Sequence, residues 1–456
     1  MAYRSTNPFT NTVEKSFDEL SDTQLQAKLQ AAQACFDNTW RDQTFAQRKA
    51  VLKRAAALMR ERQPALAALA TLEMGKLIAQ SAGEVALSAA IIDYYADHAE
   101  AFLAPEPLKT DKGDAVVESS PLGVLFGVEP WNFPYYQIAR FAAPNLMAGN
   151  VVMVKHASNV PQCALAFEQL MHDAGLPVGG YTNLFVSKDQ VAALIDDPRV
   201  RGVALTGSEA AGAVVAARAG QNLKKSTLEL GGSDAFIVLE DADMARAVKH
   251  AVSGRMGNAG QACTASKRFI VLDAVADAFL EPFKAAMAQF KPGDPMDERS
   301  TLAPLCSADA LDKLLQQVQT AVQHGAKLVL GGQRVAGMQG NFMEPTILAD
   351  ITEDNPMFRE EFFGPVALFF RVPDEAAAVA LANDSPFGLG GSVFTQDAER
   401  GRRVARRIDT GMVFVNSAAV SLPDLPFGGS KNSGYGRELS AAGIQEFVNK
   451  KLIRVA

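Results

Sequence analysis

Apolar residues recur three and four positions apart through most of the first 105 residues, which predicts a helical start to the chain. Ser21 has the chemistry of an N-cap, and Leu25, Leu29, Ala32 and Phe36 behind it fall on one face. Alanine-rich stretches with the same period cover about 45–62 and 77–103. The period then changes. Residues 116–118 and 124–128 read as strands, and 151–155 (VVMVK) is a short apolar run of the kind that fills a buried strand. A helix through CALAFEQLMHDAG follows, ending near Gly175. Strand character returns at 184–186, 202–208 and 226–232, with helices between, one of them over 209–219. The same rhythm resumes with strands at 235–239 and 267–272. Alternating strand and helix implies an α/β protein with parallel sheets covered by helices, and a second α/β domain is the simplest reading. The closing KKLIRVA reads as a strand, and Lys450 and Lys451 suit a sheet edge.

Length and composition narrow the class. A chain of 456 residues has room for two to four domains. With 48% hydrophobic and 21% charged residues it reads as a folded soluble protein. Lys+Arg 44 against Asp+Glu 51 gives −7, which argues against nucleic acid or an anionic membrane as the main partner. The uncharged stretch between Arg140 and Lys155 is too short to span a bilayer, and the N-terminus has no secretory h-region. Four scattered cysteines and five scattered histidines give neither a disulfide framework nor a metal-ligand spacing, so a cytoplasmic protein without a metal is expected.

Three segments carry chemistry. In GNAGQACTA (257–265), Cys263 has small neighbours that let a substrate approach sulfur, whereas Cys35, Cys163 and Cys306 read as buried small hydrophobes. In LELGGSD (228–234), Glu229 ends a strand between leucines. Desolvation there raises a carboxyl pKa and suits a general base; a solvated edge glutamate is the bland alternative. In VEPWNFPYYQIAR (128–140), the Asn132 amide is a potential oxyanion donor, or a plain turn residue before Pro134. A possible phosphate cradle is TGSEAAG (206–212), where Gly207, Ser208 and Gly212 sit between a strand and a helix N-terminus. Lys155 closes a strand, three residues before Ser158, at a place suited to a ribose or phosphate.

Over nearly its whole length the chain resembles the aldehyde dehydrogenase superfamily. The matching stretches, in order, are PWNFP (130–134), AGNVVMVKHAS (148–158), LTGSEAAG (205–212), LELGG (228–232), NAGQAC (258–263), EEFFGPV (360–366), NDSPFGL (383–389) and PFGGSKNSGYGRE (426–438). Within it the chain is most similar to the shorter subgroup of bacterial succinate-semialdehyde dehydrogenases. The resemblance implies an aldehyde dehydrogenase-like fold: a Rossmann-like cofactor domain (1–106 and 124–232), a catalytic domain (233–424) and an oligomerisation arm (107–123 and 440–456). It implies a homodimer or homotetramer. It makes Cys263 the nucleophile, Glu229 the base that activates water, and Asn132 the oxyanion donor beside the Cys263 N–H. It places Trp131, Lys155, Ser158, Gly207, Ser208, Gly212, Leu230, Gly231, Glu361 and Phe363 at the cofactor.

Ser158 stands where many NAD-preferring relatives carry a glutamate. A serine beside Lys155 can donate to a 2′-phosphate, which implies NADP, with NAD accepted as well. Arg140 matches an arginine that binds the substrate carboxylate, with Ser421 as a further contact, and a second such arginine is replaced by Gly257. The implied reaction is oxidation of succinate semialdehyde to succinate through a cysteine thiohemiacetal and thioester. Two alternatives remain open at this point: a broad-specificity short-chain aldehyde dehydrogenase, and a binding or structural protein without catalysis.

Overall fold

In a computed structural model of the chain, residues 3–455 are described, so the extreme ends of the ranges 1–106 and 440–456 lie outside it. Two large sheets organise the molecule. The first has six strands in the order Gly434–Tyr435, Lys225–Glu229, Val200–Thr206, Val124–Glu129, Val151–His156 and Tyr181–Asn183. All neighbours are parallel except the outermost pair, where Gly434–Tyr435 runs antiparallel to Lys225–Glu229. The second has seven strands, Lys327–Leu330, Thr346–Ala349, Val366–Val372, Ser266–Leu272, Asp234–Val238, Gly391–Phe394 and Phe414–Val415, again with one antiparallel edge. Parallel strands need crossover helices on both faces, so their residues are apolar in unbroken runs rather than alternating. Asp234–Val238 and Ser266–Leu272 are accordingly buried throughout.

A third, three-stranded antiparallel sheet joins Glu106–Leu108, Asp114–Pro121 and the C-terminal Val448–Val455, which is an edge. Residues Ser440–Ile444, just before that strand, instead form a short helix packed on Ile78–Phe102 and Tyr136–Ala148.

Where the sequence predicts an all-helical start, the structure begins with an antiparallel hairpin, Tyr3–Asn7 with Thr12–Phe17. Its residues are mostly polar, and only Tyr3 and Ser5 face inward. Periodicity has too little apolar signal to register there. The helix behind Ser21 forms as expected, with a capping box in which Ser21 and Gln24 bond each other's backbone N–H, and Leu25, Leu29 and Ala32 buried. Helices Phe45–Glu61 and Ile78–Phe102 match the alanine-rich stretches, and a further helix, Gln63–Met74, fills the gap between them. The strand expected at 184–186 sits at Tyr181–Asn183, and 184–186 is buried loop.

The uncharged stretch after Arg140 is not amphipathic because nothing of it faces water. All thirteen residues of Tyr136–Ala148 are buried, and the strand Val151–His156 follows directly after Gly149 takes a left-handed cap (φ 95°). Arg140 is the only charge on that helix and therefore the one side chain there that must find an ionic partner.

Candidate active site

The C-terminal ends of strands 124–129, 200–206 and 225–229 meet the loop that precedes strand 266–272, and a cavity of about 360 Å³ lies there. Its wall carries Cys263, Asn132, Trp131, Gly207, Ser208, Leu230, Gly231, Glu361 and Phe363, nine of the residues singled out from sequence. A smaller cavity of about 170 Å³ shares Cys263 and Gln137 with it and adds Gln80, Glu84, Phe133, Tyr136, Thr264 and Ser421. Cys263 is thus the junction of two chambers.

The backbone around Cys263 is held in an unusual shape. After helix Met244–Met256, Asn258 (φ 53°), Ala259 (φ 50°) and Gly260 (φ 74°) are all left-handed. For the two non-glycine residues this costs roughly 1–2 kcal/mol each. A Cβ at Gly260 would run into the carbonyl of Gly364. Side chains fix the turn. Asn258 Nδ2 donates to the carbonyls of Asn132 (3.0 Å) and Gln261 (3.1 Å). Arg255 donates to the carbonyls of Gly260 (2.7 Å) and Ser266 (3.1 Å). Lys267 donates to the carbonyls of Ala262 (3.0 Å) and Cys263 (2.8 Å).

Asn132 is buried and gives one amide hydrogen to the Gln261 carbonyl at 3.1 Å, which leaves its second for the cavity. Its loop is clipped by His156. Nε2 meets the Pro134 carbonyl at 2.8 Å, and Nδ1 lies 2.9 Å from the Ala157 nitrogen and 3.2 Å from the Glu129 carbonyl, so the neutral ring with its proton on Nε2 donates to Pro134 and accepts from Ala157. Burial holds that imidazole down at a pKa of about 4.

Burial pushes the Cys263 thiol up to about 11, opposed by the positive charges of Arg140 and Lys267. Glu229 is buried and stands outside both cavity walls, its carboxylate without a hydrogen-bond partner. Burial, then the charge of Glu438, holds its carboxyl well above the ordinary range. Glu129 is raised in the same way and from the same causes.

Arg140 departs from its sequence expectation. Its guanidinium lines neither chamber. It is ion-paired with Glu438 and donates to the Tyr136 hydroxyl (3.2 Å) and to Thr206 Oγ1 (3.5 Å), with the Phe427 ring 4.3 Å away. The reason is electrostatic: a cation on a fully buried helix sits among Glu129, Glu229 and Glu438 and is drawn to them. Tyr136, one helical turn earlier, reaches the smaller chamber in its place. Sequence reading missed Tyr136, His156, Lys267 and Glu438. All four lie inside the quoted segments or beside the nucleophile, but the partners that reveal them, Pro134 for His156, Glu361 for Lys267 and Arg140 for Glu438, are distant in the chain.

The larger chamber suits the nicotinamide and pyrophosphate portion of a dinucleotide. Ser208 N-caps helix Glu209–Gln221, accepting from the Ala211 N–H at 3.4 Å, and sets the N–H end of that helix toward the cavity, while the Gly207 N–H is given to the Glu229 carbonyl at 3.0 Å. Gly212 lies one turn along, packed so closely that a Cβ would sit 2.7 Å from Leu230. A Cβ at Gly231 would sit 2.6 Å from Glu361 Oε2 and narrow the chamber. Trp131 and Phe363 meet edge to face, centroids 5.8 Å apart, as an apolar wall for a flat ring. Lys155 and Ser158 lie beyond this wall, by the N-terminal hairpin. The Arg4 N–H donates to the Ser158 carbonyl at 2.9 Å, and the Lys155 ammonium lies 5.5 Å from the Tyr3 ring centre.

Known proteins with this arrangement are numerous. The NADP(+) succinate-semialdehyde dehydrogenase of Deinococcus radiodurans is 50% identical over 452 residues, 99% of this chain and 94% of that one. The Escherichia coli succinate semialdehyde dehydrogenase that takes NAD(P)+ is 46% identical, covering 93% of this chain and 92% of its own. The crystal structure of the Streptococcus pyogenes succinic semialdehyde dehydrogenase with NADP+ as cofactor superposes with a TM-score of 0.98 at 49% identity, each chain covered in full. The model of the aldehyde dehydrogenase family matches residues 1–453, and with a cysteine set between two chambers of this construction the chain belongs to that family.

Proposed function

We propose that the protein oxidises succinate semialdehyde to succinate with NADP, using NAD less well. The carrying observation is the position of Cys263 where a larger chamber opening onto a helix N-terminus meets one sized for a short aldehyde. The relatives' shared activity supports the choice of substrate and cofactor.

The aldehyde enters the smaller chamber and its carbonyl carbon meets the Cys263 sulfur. Addition of the thiolate gives a thiohemiacetal, whose oxyanion is held by Asn132 Nδ2 and the Cys263 N–H. The nicotinamide cofactor, when bound, supplies the acceptor for the hydride that this adduct expels. A thioester on Cys263 remains. Glu229 then rotates from its buried position, takes a proton from water, and the resulting hydroxide displaces Cys263 and releases the acid.

The substrate carboxylate is met by hydroxyls. The Tyr136 oxygen accepts from Arg140 and from the Ser421 hydroxyl on the same wall, which leaves its own O–H to donate into the chamber. At the other end, Lys155 and Ser158 receive the 2′-phosphate of NADP. Gly207, Ser208 and the helix held close by Gly212 take the pyrophosphate. Glu361, Phe363, Trp131, Leu230 and Gly231 bound the nicotinamide half.

The three-stranded sheet supports a homo-oligomer. Its edge strand exposes Leu452 (60%) and Val455 (65%), apolar residues a second copy would cover. The reading includes a cytoplasmic location, and among the described residues no helix is long and apolar enough to cross a membrane.

One observation favours a broader reading, oxidation of short uncharged aldehydes. No lysine or arginine lines the smaller chamber, and its one charged wall residue, Glu84, is paired with Lys76. Side-by-side kcat/KM values for succinate semialdehyde, glutarate semialdehyde and butanal, each with NADP and NAD, separate the two. Equal values for succinate semialdehyde and butanal would overturn the reading that the substrate's carboxylate is recognised.

A further inference from the structure

Lys267 lies four residues after Cys263, at the start of strand Ser266–Leu272, and is among the largest fully buried side chains of the molecule. An apolar side chain would satisfy such a position by packing alone. A buried ammonium persists only where oxygens surround it. It has three hydrogens, and three oxygens stand in range: the carbonyls of Ala262 and Cys263, and Glu361 Oε1 at 3.1 Å. The same Glu361 oxygen accepts the Gly232 N–H at 3.1 Å. Lys267 therefore ties the nucleophile turn to the carboxylate on the wall of the larger chamber.

Two cations and two carboxylates act electrostatically on the Cys263 thiol. Arg140 comes from helix Tyr136–Ala148, Lys267 from its own strand, Asp234 from the neighbouring strand and Glu361 from the loop before strand Val366–Val372. Arg140 is neutralised by Glu438 and shared with Glu129 and Glu229. Lys267 is then the cation anchored directly to the backbone of the nucleophile.

We propose that Lys267 is a positioning residue for thiolate formation: it pins the carbonyls of Ala262 and Cys263 and places a positive charge at the turn that carries the sulfur. The proposal rests on Cys263 being the nucleophile.

The test is the pH dependence of alkylation by iodoacetamide of the full-length enzyme without substrate, with the label assigned to Cys263 by its loss in Cys263→Ala. Lys267→Met removes charge and hydrogen bonds. Lys267→Gln removes the charge while keeping two N–H donors for the carbonyls, so it serves if the methionine variant does not fold. Lys267→Arg keeps the charge. The glutamine and methionine variants are expected to alkylate about tenfold more slowly at pH 7.5, with the midpoint raised by about one pH unit and the arginine variant closer to wild type. A midpoint in Lys267→Gln equal to wild type would overturn the proposal. Full dehydrogenase turnover by Cys263→Ala would instead overturn the reading of Cys263.

Discussion

Glu438 and Arg140 form an ion pair in which the arginine side chain is 0% exposed and the glutamate 9%. The pair joins the glycine-rich segment near the C-terminus to the helix that follows Asn132. Arg140→Met would leave Glu129, Glu229 and Glu438 buried without their shared cation. Removing one partner of a buried pair costs about 3–5 kcal/mol. Urea denaturation should show a loss of that size, with the midpoint lowered and the slope unchanged.

If recognition of the substrate carboxylate passes through Tyr136, Tyr136→Phe removes one hydroxyl donor and leaves the ring. A hydrogen bond to a charged group contributes about 1.5–3 kcal/mol, hence about tenfold to a hundredfold. KM for succinate semialdehyde should rise by at least about tenfold while KM for butanal stays within about twofold. Equal changes for both substrates would assign Tyr136 to packing.

Glu229 sets the acid side of the pH profile. A base works only when deprotonated, and burial plus the Glu438 charge holds this carboxyl above its ordinary 4.5. As pH falls through the raised value the carboxylate takes up a proton, so kcat should decline at pH values where a solvated glutamate would still be ionised. Glu229→Gln should abolish that limb. In stopped-flow traces it should also give a burst of NADPH followed by a slow steady state, because the thioester forms and then waits for water.

Cofactor choice rests on the strand-end pair Lys155 and Ser158. Ser158→Glu brings a carboxylate against the 2′-phosphate of NADP and offers acceptors to the ribose hydroxyls of NAD. The ratio of kcat/KM for NADP over NAD, measured at one salt concentration, should fall by about tenfold or more. An unchanged ratio would place the phosphate elsewhere.

Much of this site is legible in the linear chain because its parts are local. The Cys263 turn, the Ser208 cap and the Glu229 strand end are each built within a few residues, and small residues mark them. Arg140 is different. Its neighbours in sequence fit a carboxylate-binding arginine, but its surroundings are decided by Glu438, contributed from almost the far end of the chain. The hairpin Tyr3–Phe17 escapes for another reason: a two-stranded ribbon with one buried face of two residues leaves no periodic trace. The three carboxylates around one guanidinium are likewise invisible until the sheet and the C-terminal segment are brought together.

The neutral imidazole of His156 has a consequence for the enzyme in acid. Its pKa in the folded protein, about 4, is below the ordinary 6.5, so folding favours the uncharged ring. That contribution is complete above the unfolded value and is lost as pH falls from about 6.5 toward 4. Once protonated, the ring keeps its Nε2 bond to Pro134 and turns an N–H toward the Glu129 carbonyl at 3.2 Å, but it loses the bond from Ala157 and leaves a charge buried beneath the loop that carries Asn132. Acid therefore reaches this protein in two separable ways. Protonation of Glu229 stalls turnover and is reversed at once when the pH is restored. Protonation of His156 instead withdraws stability from the platform beneath the oxyanion donor, so urea denaturation at falling pH distinguishes an idle enzyme from a weakened one.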